Sequence, residues 1–253
     1  MAIRQKLNTD GILRRLFEPL IVTPDELSSY VESSKWEKEP FATPPAFIPF
    51  EGISRLCRIA GAHFCVPVGK IEIENDILQS ERSAKDIAQF FQYKEDKPFI
   101  ETIDSLCEAN PDEQLVKCSM AAGGFINAFV QGMNALLTLM HLPSGKVLMH
   151  ENTFTESLKL KADEIGFGPQ SMRFDKGWKN EDTFMGCKII KTVKDDIVPE
   201  GVIYFFTEQE RFCKFILHDV ALQHEAKTDM SPLYEYIGVG ISNTKGVVKL
   251  ILE

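Results

Sequence analysis

The closing stretch, YEYIGVGISNTKGVVKLILE, sets Gly238, Gly240 and Gly246 beside Asn243, Thr244 and Lys245. Glycine, lysine and threonine together are the ingredients of a phosphate cradle, where backbone N–H groups and an ammonium hold phosphate oxygens. The order does not fit that chemistry. A P-loop runs G-x-x-x-x-G-K-[ST] from a strand into a helix whose N-terminus faces the phosphate. Here no Gly-Lys-[Ser/Thr] ending occurs, and the segment after Gly246, VVKLIL, is β-branched and alternating, so a strand follows. SNTKG is then turn chemistry between two strands. Asn243 tolerates the left-handed region and Gly246 closes the turn.

Other reactive residue types are equally dispersed. Of the histidines His63, His141, His150, His218 and His224, only the last two are close, and their spacing does not place both on one helix face. MHENTF has a His-Glu pair but no second histidine in H-E-x-x-H register. Six cysteines, at 57, 65, 107, 118, 187 and 213, form no C-x-x-C and no zinc spacing with histidine. Cys65 follows His63 by two residues, which in a strand gives a shared face without implying a hydrogen bond. G-x-S-x-G is absent. No catalytic, cofactor-binding or metal-ligating residue is assigned, no cofactor is expected, and the cysteines read as buried and inert.

The 253 residues suit one large domain or two small ones. A net charge of −9 argues against a chain that grips nucleic acid by bulk electrostatics. The start, MAIRQKLNTDGILRRLF, lacks the apolar run of a signal peptide, so cytoplasmic synthesis and reduced thiols are expected. The longest apolar segment, GGFINAFVQGMNALLTLMHLP, carries Asn127, Gln131, Asn134 and His141 at helical spacing and reads as a buried helix of a soluble protein.

Along the chain, residues 1–20 have the spacing of a short amphipathic helix, basic at Arg4, Lys6, Arg14 and Arg15. A second helix is expected from Thr23 (N-cap), Pro24 and Glu26. EKEPFATPPAFIPFEG carries Pro40, Pro44, Pro45 and Pro49 among Phe41, Phe47, Ile48 and Phe50, an extended arm that needs a surface to lie on, with a neighbouring subunit as the candidate. VGKIEIEND reads as a strand, with Val68, Ile71 and Ile73 set against Lys70, Glu72 and Glu74. A helix from Ser83 is expected to break or kink at Pro98 and to end at Asn110-Pro111. Next come the 124–140 helix, a turn at HLPSG, a buried strand KVLMH, and a helix capped near Asn152 or Thr153. A glycine-rich loop follows, then strands in GCKIIKTV and VIYFFTEQERFCKFILHDV, and a closing strand GVVKLIL. The class is α+β.

In this order the second half resembles the major capsid protein of tailed bacteriophages, the Hong Kong 97 type, a fold shared with encapsulins. The resemblance rests on FINAFVQGMNALLTLMHLPSGKVLMHENTFTESLKL, on MGCKIIKTVKDDIVPEGVIYFFTEQERFCKFI and on YEYIGVGISNTKGVVKLIL. Lys188 stands where many relatives have proline. The match is one of element order and apolar pattern over 80–253, and of order alone over 1–80.

The resemblance implies an N-terminal arm (1–50), an E-loop (51–82), the spine helix and strands of a P-domain (83–120), an A-domain (121–225) and strands returning to the P-domain (226–253). It implies a shell protein and not an enzyme, self-assembling in hexamers and pentamers into an icosahedral shell around the viral genome. Expected partners are a portal protein, a separate scaffold and packaged DNA in weak non-specific contact, with no membrane. The expected location is the virion, assembled in the host cytoplasm. Alternatives are an encapsulin-type nanocompartment shell, another phage structural protein, and a soluble α+β enzyme with a cysteine nucleophile. Candidate subunit-interface residues are Phe41, Phe47, Phe50, Val66, Val68, Lys70, Glu72, Arg14 and Arg15. Some relatives cross-link a loop lysine to an asparagine, and Lys70 and Asn243 are the residues on which such roles would fall, with nothing local to support it. Deleting residues 1–48 is expected to leave a soluble chain that assembles poorly.

Overall fold

The structure, a computed structural model, describes residues 10–21, 46–50, 53–58, 65–73, 84–120, 124–158, 183–218 and 233–253. The expected helix at Thr23, Phe41 and the prolines beside it, His63, His224, Ser83 and residues 165–182 of the glycine-rich loop expected over 165–184 lie outside these residues, while the last two residues of that loop, Thr183 and Phe184, form a short strand. Two units divide the chain: Met1–Thr102 with Gln209–Thr244, and Ile103–Glu208 with Lys245–Glu253.

In the first unit the helix α1 (Ile12–Leu16) is short because Phe17 is already extended. The helix α2 (Ala84–Ala109) is continuous, with Pro98 inside it and Thr102 Oγ1 donating to the Pro98 carbonyl at 2.8 Å. The expected break at Pro98 does not occur. An interior proline costs about 3 kcal/mol, but Glu95, Asp96, Phe99 and Ile100 around it are all buried, and that packing holds the helix together. Thr102 and the residues before it belong to the first unit, Ile103 and those after it to the second.

The first unit's sheet contains β1 (Leu20–Ile21), β2 (Ala46–Phe47), β3 (Ile53–Arg58), β4 (Cys65–Ile73), β10 (Cys213–His218) and β11 (Leu233–Ile241). The order is β1-β10-β11-β4-β3, with β2 also on β11. β1 runs parallel to β10 and the other pairs are antiparallel. The 46–47 stretch of the proline-rich arm is therefore extended, as expected, and lies on the chain's own β11, Phe47 opposite Gly240. On β4 the wet positions are Lys70 and Glu72, while Ile71 and Ile73 are buried. Val68 shares parity with Lys70 and is nevertheless fully buried, so the wet face begins only at Lys70. Ile12, Leu13, Leu16 and Phe17 of the α1 segment are buried. The Phe17 ring meets Phe99 edge-on at 5.8 Å and Phe212 at 5.6 Å. Each such side chain contributes about 1.5–3 kcal/mol by leaving water.

The second unit holds the helical turn α3 (Pro111–Gln114) and the helices α4 (Gly124–Met140) and α5 (Glu151–Leu158). Its strands are β5 (Leu115–Cys118), β6 (Lys146–His150), β7 (Thr183–Phe184), β8 (Cys187–Thr192), β9 (Val202–Phe206) and β12 (Val247–Leu252), in the order β5-β12-β9-β6-β8-β7. Period-2 alternation decides which side chains form the core under α4: Val147 and Met149, Cys187 and Ile189, Ile203 and Phe205, Val248 and Leu250. α4 answers with Phe125, Ala128, Phe129, Gly132 and Leu136, while Asn127, Gln131 and Asn134 face outward. The helix is thus amphipathic, not buried all round. Among the described residues no helix is long and apolar enough to cross a membrane.

The expected strand run through VIYFFTEQERFCKFILHDV is interrupted by a one-turn helix, α6 (Gln209–Phe212), between β9 and β10. At the C-terminal glycines the strand expectation holds: β12 follows Gly246 and no helix does. Asn243 does not use the left-handed region. Among the described residues the non-glycines with positive φ are His141 (54°) and Met185 (49°).

Candidate functional site

Lys70 and Glu72 come together on the solvent side of β4, where Lys70 Nζ meets Glu72 Oε2 at 2.6 Å. The antiparallel register sets Tyr236 opposite Lys70 and Tyr234 opposite Glu72. Lys70 Nζ lies 4.5 Å from the Tyr234 ring centroid, Tyr234 meets Tyr236 edge-on at 5.7 Å, and His218 stacks on Tyr236 at 6.2 Å. The hydrogen bond that Lys70 donates to Glu72 holds the ammonium above its usual pKa, against the opposing effect of burial. This is a polar and aromatic patch on one sheet face, suited to cation–π and hydrogen-bond contacts. Sequence reasoning found Lys70 and Glu72. It missed Tyr234, Tyr236 and His218, because only strand register joins residues so distant along the chain. The alternation in LYEY was the signal available.

The other candidates sit elsewhere. Phe50, Val66 and Val68 are buried within the first unit. For Phe47 the strand is described but the side chain is not, and Arg15 is half-buried. Arg14 is the most informative. Its guanidinium, 1% exposed, donates to Glu95 through Nε at 2.9 Å and Nη2 at 2.7 Å, and through Nη2 to Glu235 Oε2 at 2.5 Å. Burial alone would lower its pKa, but the two carboxylates raise it instead, so it stays charged. Beside it, Asp96 accepts from the Ile12 and Leu13 N–H groups at 3.0 and 2.9 Å. That carboxylate is a cap supplied from α2, since the N-cap residue Gly11 makes no side-chain bond.

In the second unit His150, Asp195 and Glu200 bring three potential metal ligands together. The hydrogen bonds point to another role. The Asn152 N–H donates to His150 Nδ1 at 3.1 Å, which makes His150 the cap of α5, in place of the expected Asn152 or Thr153. An accepting Nδ1 puts the proton of a neutral ring on Nε2, and Nε2 lies 2.5 Å from Asp195 Oδ1. Asn152 Nδ2 donates to Glu200. The ring is engaged through Nδ1 as a structural cap, while Nε2 lies against Asp195 without making a well-formed hydrogen bond.

Nucleophile chemistry finds no support among the described thiols. Cys107, Cys118, Cys187 and Cys213 are buried. Burial, followed by the charge of Asp104, pushes the Cys107 thiol up to about 12. Burial also raises Cys118 and Cys187. A thiol so raised is not a nucleophile at neutral pH. Near Cys107, Asp104 accepts from the Tyr204 hydroxyl at 2.8 Å and pairs with Lys249 at 2.7 Å, a partly buried polar link between α2 and the sheet of this unit.

No family model matches the chain, and no curated protein does. Solved structures do. The virus-like particle from Pyrococcus furiosus matches over 98% of this chain and 96% of its own, with a TM-score of 0.50 at 10% identity. The fold is that of the Hong Kong 97-type capsid proteins. The capsid of the cyanophage P-SCSP1u (TM-score 0.42, 12% identity, 85% of each chain) and the holo-SrpI encapsulin of Synechococcus elongatus PCC 7942 (0.36, 13%, 74% of each) are more distant. The likeness to the Pyrococcus furiosus particle covers 98% of this chain and so draws on residues of both units.

Proposed function

We propose that this chain is the major capsid protein of a tailed bacteriophage or prophage, self-assembling into an icosahedral shell that encloses the genome. The observation that carries the reading is the end-to-end likeness to the Pyrococcus furiosus virus-like particle, over 98% of this chain and 96% of that one. The surface is compatible with assembly. β1 lies at a sheet edge with Leu20 and Ile21 about half exposed, and β4 presents the Lys70–Glu72–Tyr234–Tyr236 patch. Contacts of this size are individually weak, and a closed symmetric shell sums many of them.

On this reading residues 1–50 are the arm, 51–82 the E-loop, 83–120 the spine region of the P-domain, 121–225 the A-domain and 226–253 the returning strands. The partners are other copies in hexamers and pentamers, a portal, a separate scaffold and packaged DNA. The location is the virion, assembled in the host cytoplasm. The chain has no catalytic task.

Negative-stain electron microscopy and size-exclusion chromatography of the untagged chain test the reading. Closed or tubular shells are expected, with DNA rather than an enzyme cargo inside those recovered from infected cells. A monomer of unrelated fold would overturn it. Within the same reading, Lys70→Ala with Glu72→Ala is expected to change unfolding stability by less than about 1 kcal/mol, since the side chains are 31% and 38% exposed and solvent screens the pair. The same double variant is expected to lower shell yield clearly. Unchanged yield would remove this patch from the interface.

A further inference from the structure

Two carboxylates, Glu95 on α2 and Glu235 on β11, converge on one guanidinium in a place where all three side chains are sealed from water. Glu95 accepts from Arg14 Nε and Nη2 through its two oxygens, and Glu235 accepts from Nη2 through Oε2. The second oxygen, Glu235 Oε1, is buried with no hydrogen-bond partner. A bare oxygen of an ionised carboxylate is among the most costly groups to bury, whereas a protonated one is tolerable. Among the described residues Arg14 is the cation paired with these two acids, so with both acids ionised the group has one negative charge too many.

We propose that Glu235 and Glu95 share a proton, and that this proton fastens residues 10–17 onto α2 and β11 as a latch that loosens when the pH rises. The surroundings leave few other sources of pH dependence. From α1 the group faces Arg14, with half-buried Arg15 next in the chain. From α2 it faces Glu95, with Asp96 engaged by the Ile12 and Leu13 N–H groups and the amide Gln92 buried nearby in sequence. From β4 the residue opposite Glu235 is Ile71, which is apolar. Lys70, Glu72, Tyr234, Tyr236 and His218 occupy the alternate positions of the sheet and so its other face. Burial, reinforced by the charge of Glu95, holds the Glu235 carboxyl well above the usual carboxylate range, and Arg14 opposes this without cancelling it.

The direction of the effect follows from linkage. The seated segment binds the proton more tightly than the unseated one, where Glu235 titrates near the ordinary value of about 4.3. Seating is therefore strongest below that value. It weakens as pH rises toward the raised pKa of the seated carboxyl, by up to about tenfold in the seating constant per pH unit for one linked proton.

Hydrogen exchange of the full chain reads this at the Arg15 and Phe17 amides, which donate to Gly11 and Leu13 carbonyls at 3.2 and 2.9 Å. Their protection, corrected for the intrinsic pH dependence of exchange, is expected to fall as pH rises in the wild type and to stay level in Glu235→Gln. Infrared spectroscopy in D2O supplies a second readout that needs no variant to fold. A protonated-carboxyl band at neutral pH is expected to vanish in alkali. Glu95→Gln, which removes the like charge but not the burial, is expected to make the band vanish at a lower pH than in the wild type. Level protection in the wild type, the same slope in Glu235→Gln, or no protonated-carboxyl band at neutral pH would each overturn the proposal.

Discussion

Arg14→Ala is expected to destabilise the chain by about 3–5 kcal/mol, the cost of leaving buried acids without their cation. Glu95 and Glu235 are both fully buried, and the guanidinium that serves them is 1% exposed. Urea unfolding of the two chains, compared at equal slope, measures the difference. Arg14→Met combined with Glu95→Met and Glu235→Met is expected to recover most of the loss, because an apolar replacement of a whole buried ionic group is often neutral or stabilising. A single Arg14→Ala within about 0.5 kcal/mol of wild type would mean that the cluster is not closed to water. The cluster also changes the meaning of an N-terminal deletion. Removing residues 1–48 takes away Arg14 and the buried Ile12, Leu13, Leu16 and Phe17, so the first unit loses part of its core and not merely an arm.

The second large effect is at Gly132. Alanine there would gain about 1 kcal/mol of helix propensity in α4. Its Cβ, however, would stand 2.3 Å from Phe205 Cε2, 2.7 Å from Cζ and 2.9 Å from Cδ2. Phe205 is fully buried in β9 and its ring meets Phe129 at 5.0 Å, so moving it aside disturbs the packing of that ring pair. Overpacking of this kind costs about 1–3 kcal/mol. Gly132→Ala is therefore expected to be net destabilising, and Gly132→Val more so. Thermal unfolding of both variants checks the order. An Ala variant more stable than wild type would show that helix and sheet can separate without loss.

Local pattern carried much of the fold. α4 was legible because Phe125, Ala128, Phe129, Gly132 and Leu136 repeat at helical spacing against Asn127, Gln131 and Asn134. β12 was legible because VVKLIL is β-branched and follows a turn. Pro98 misled, since proline signals a helix end only when propensity decides, and here Glu95, Asp96, Phe99 and Ile100 bury the turns on both sides of it. The α5 cap misled for a similar reason: histidine is an uncommon cap, and Nδ1 of His150 took the place expected for Asn152 or Thr153.

What the sequence withheld depends on long-range contacts. Arg14 reads as one of several basic residues near the N-terminus, and nothing close to it in the chain announces Glu95 or Glu235, whose separations from it are 81 and 221 residues. The Lys70–Tyr234–Tyr236 patch likewise needs the β4–β11 register to exist. Composition places both tyrosines in an alternating strand and goes no further.

Cryo-electron microscopy of particles formed by the purified full chain tests the central claim most directly. A closed shell with icosahedral symmetry is expected, each copy carrying the β1-β10-β11-β4-β3 and β5-β12-β9-β6-β8-β7 sheets. Particles without that symmetry, or built from copies with a different strand order, would contradict it.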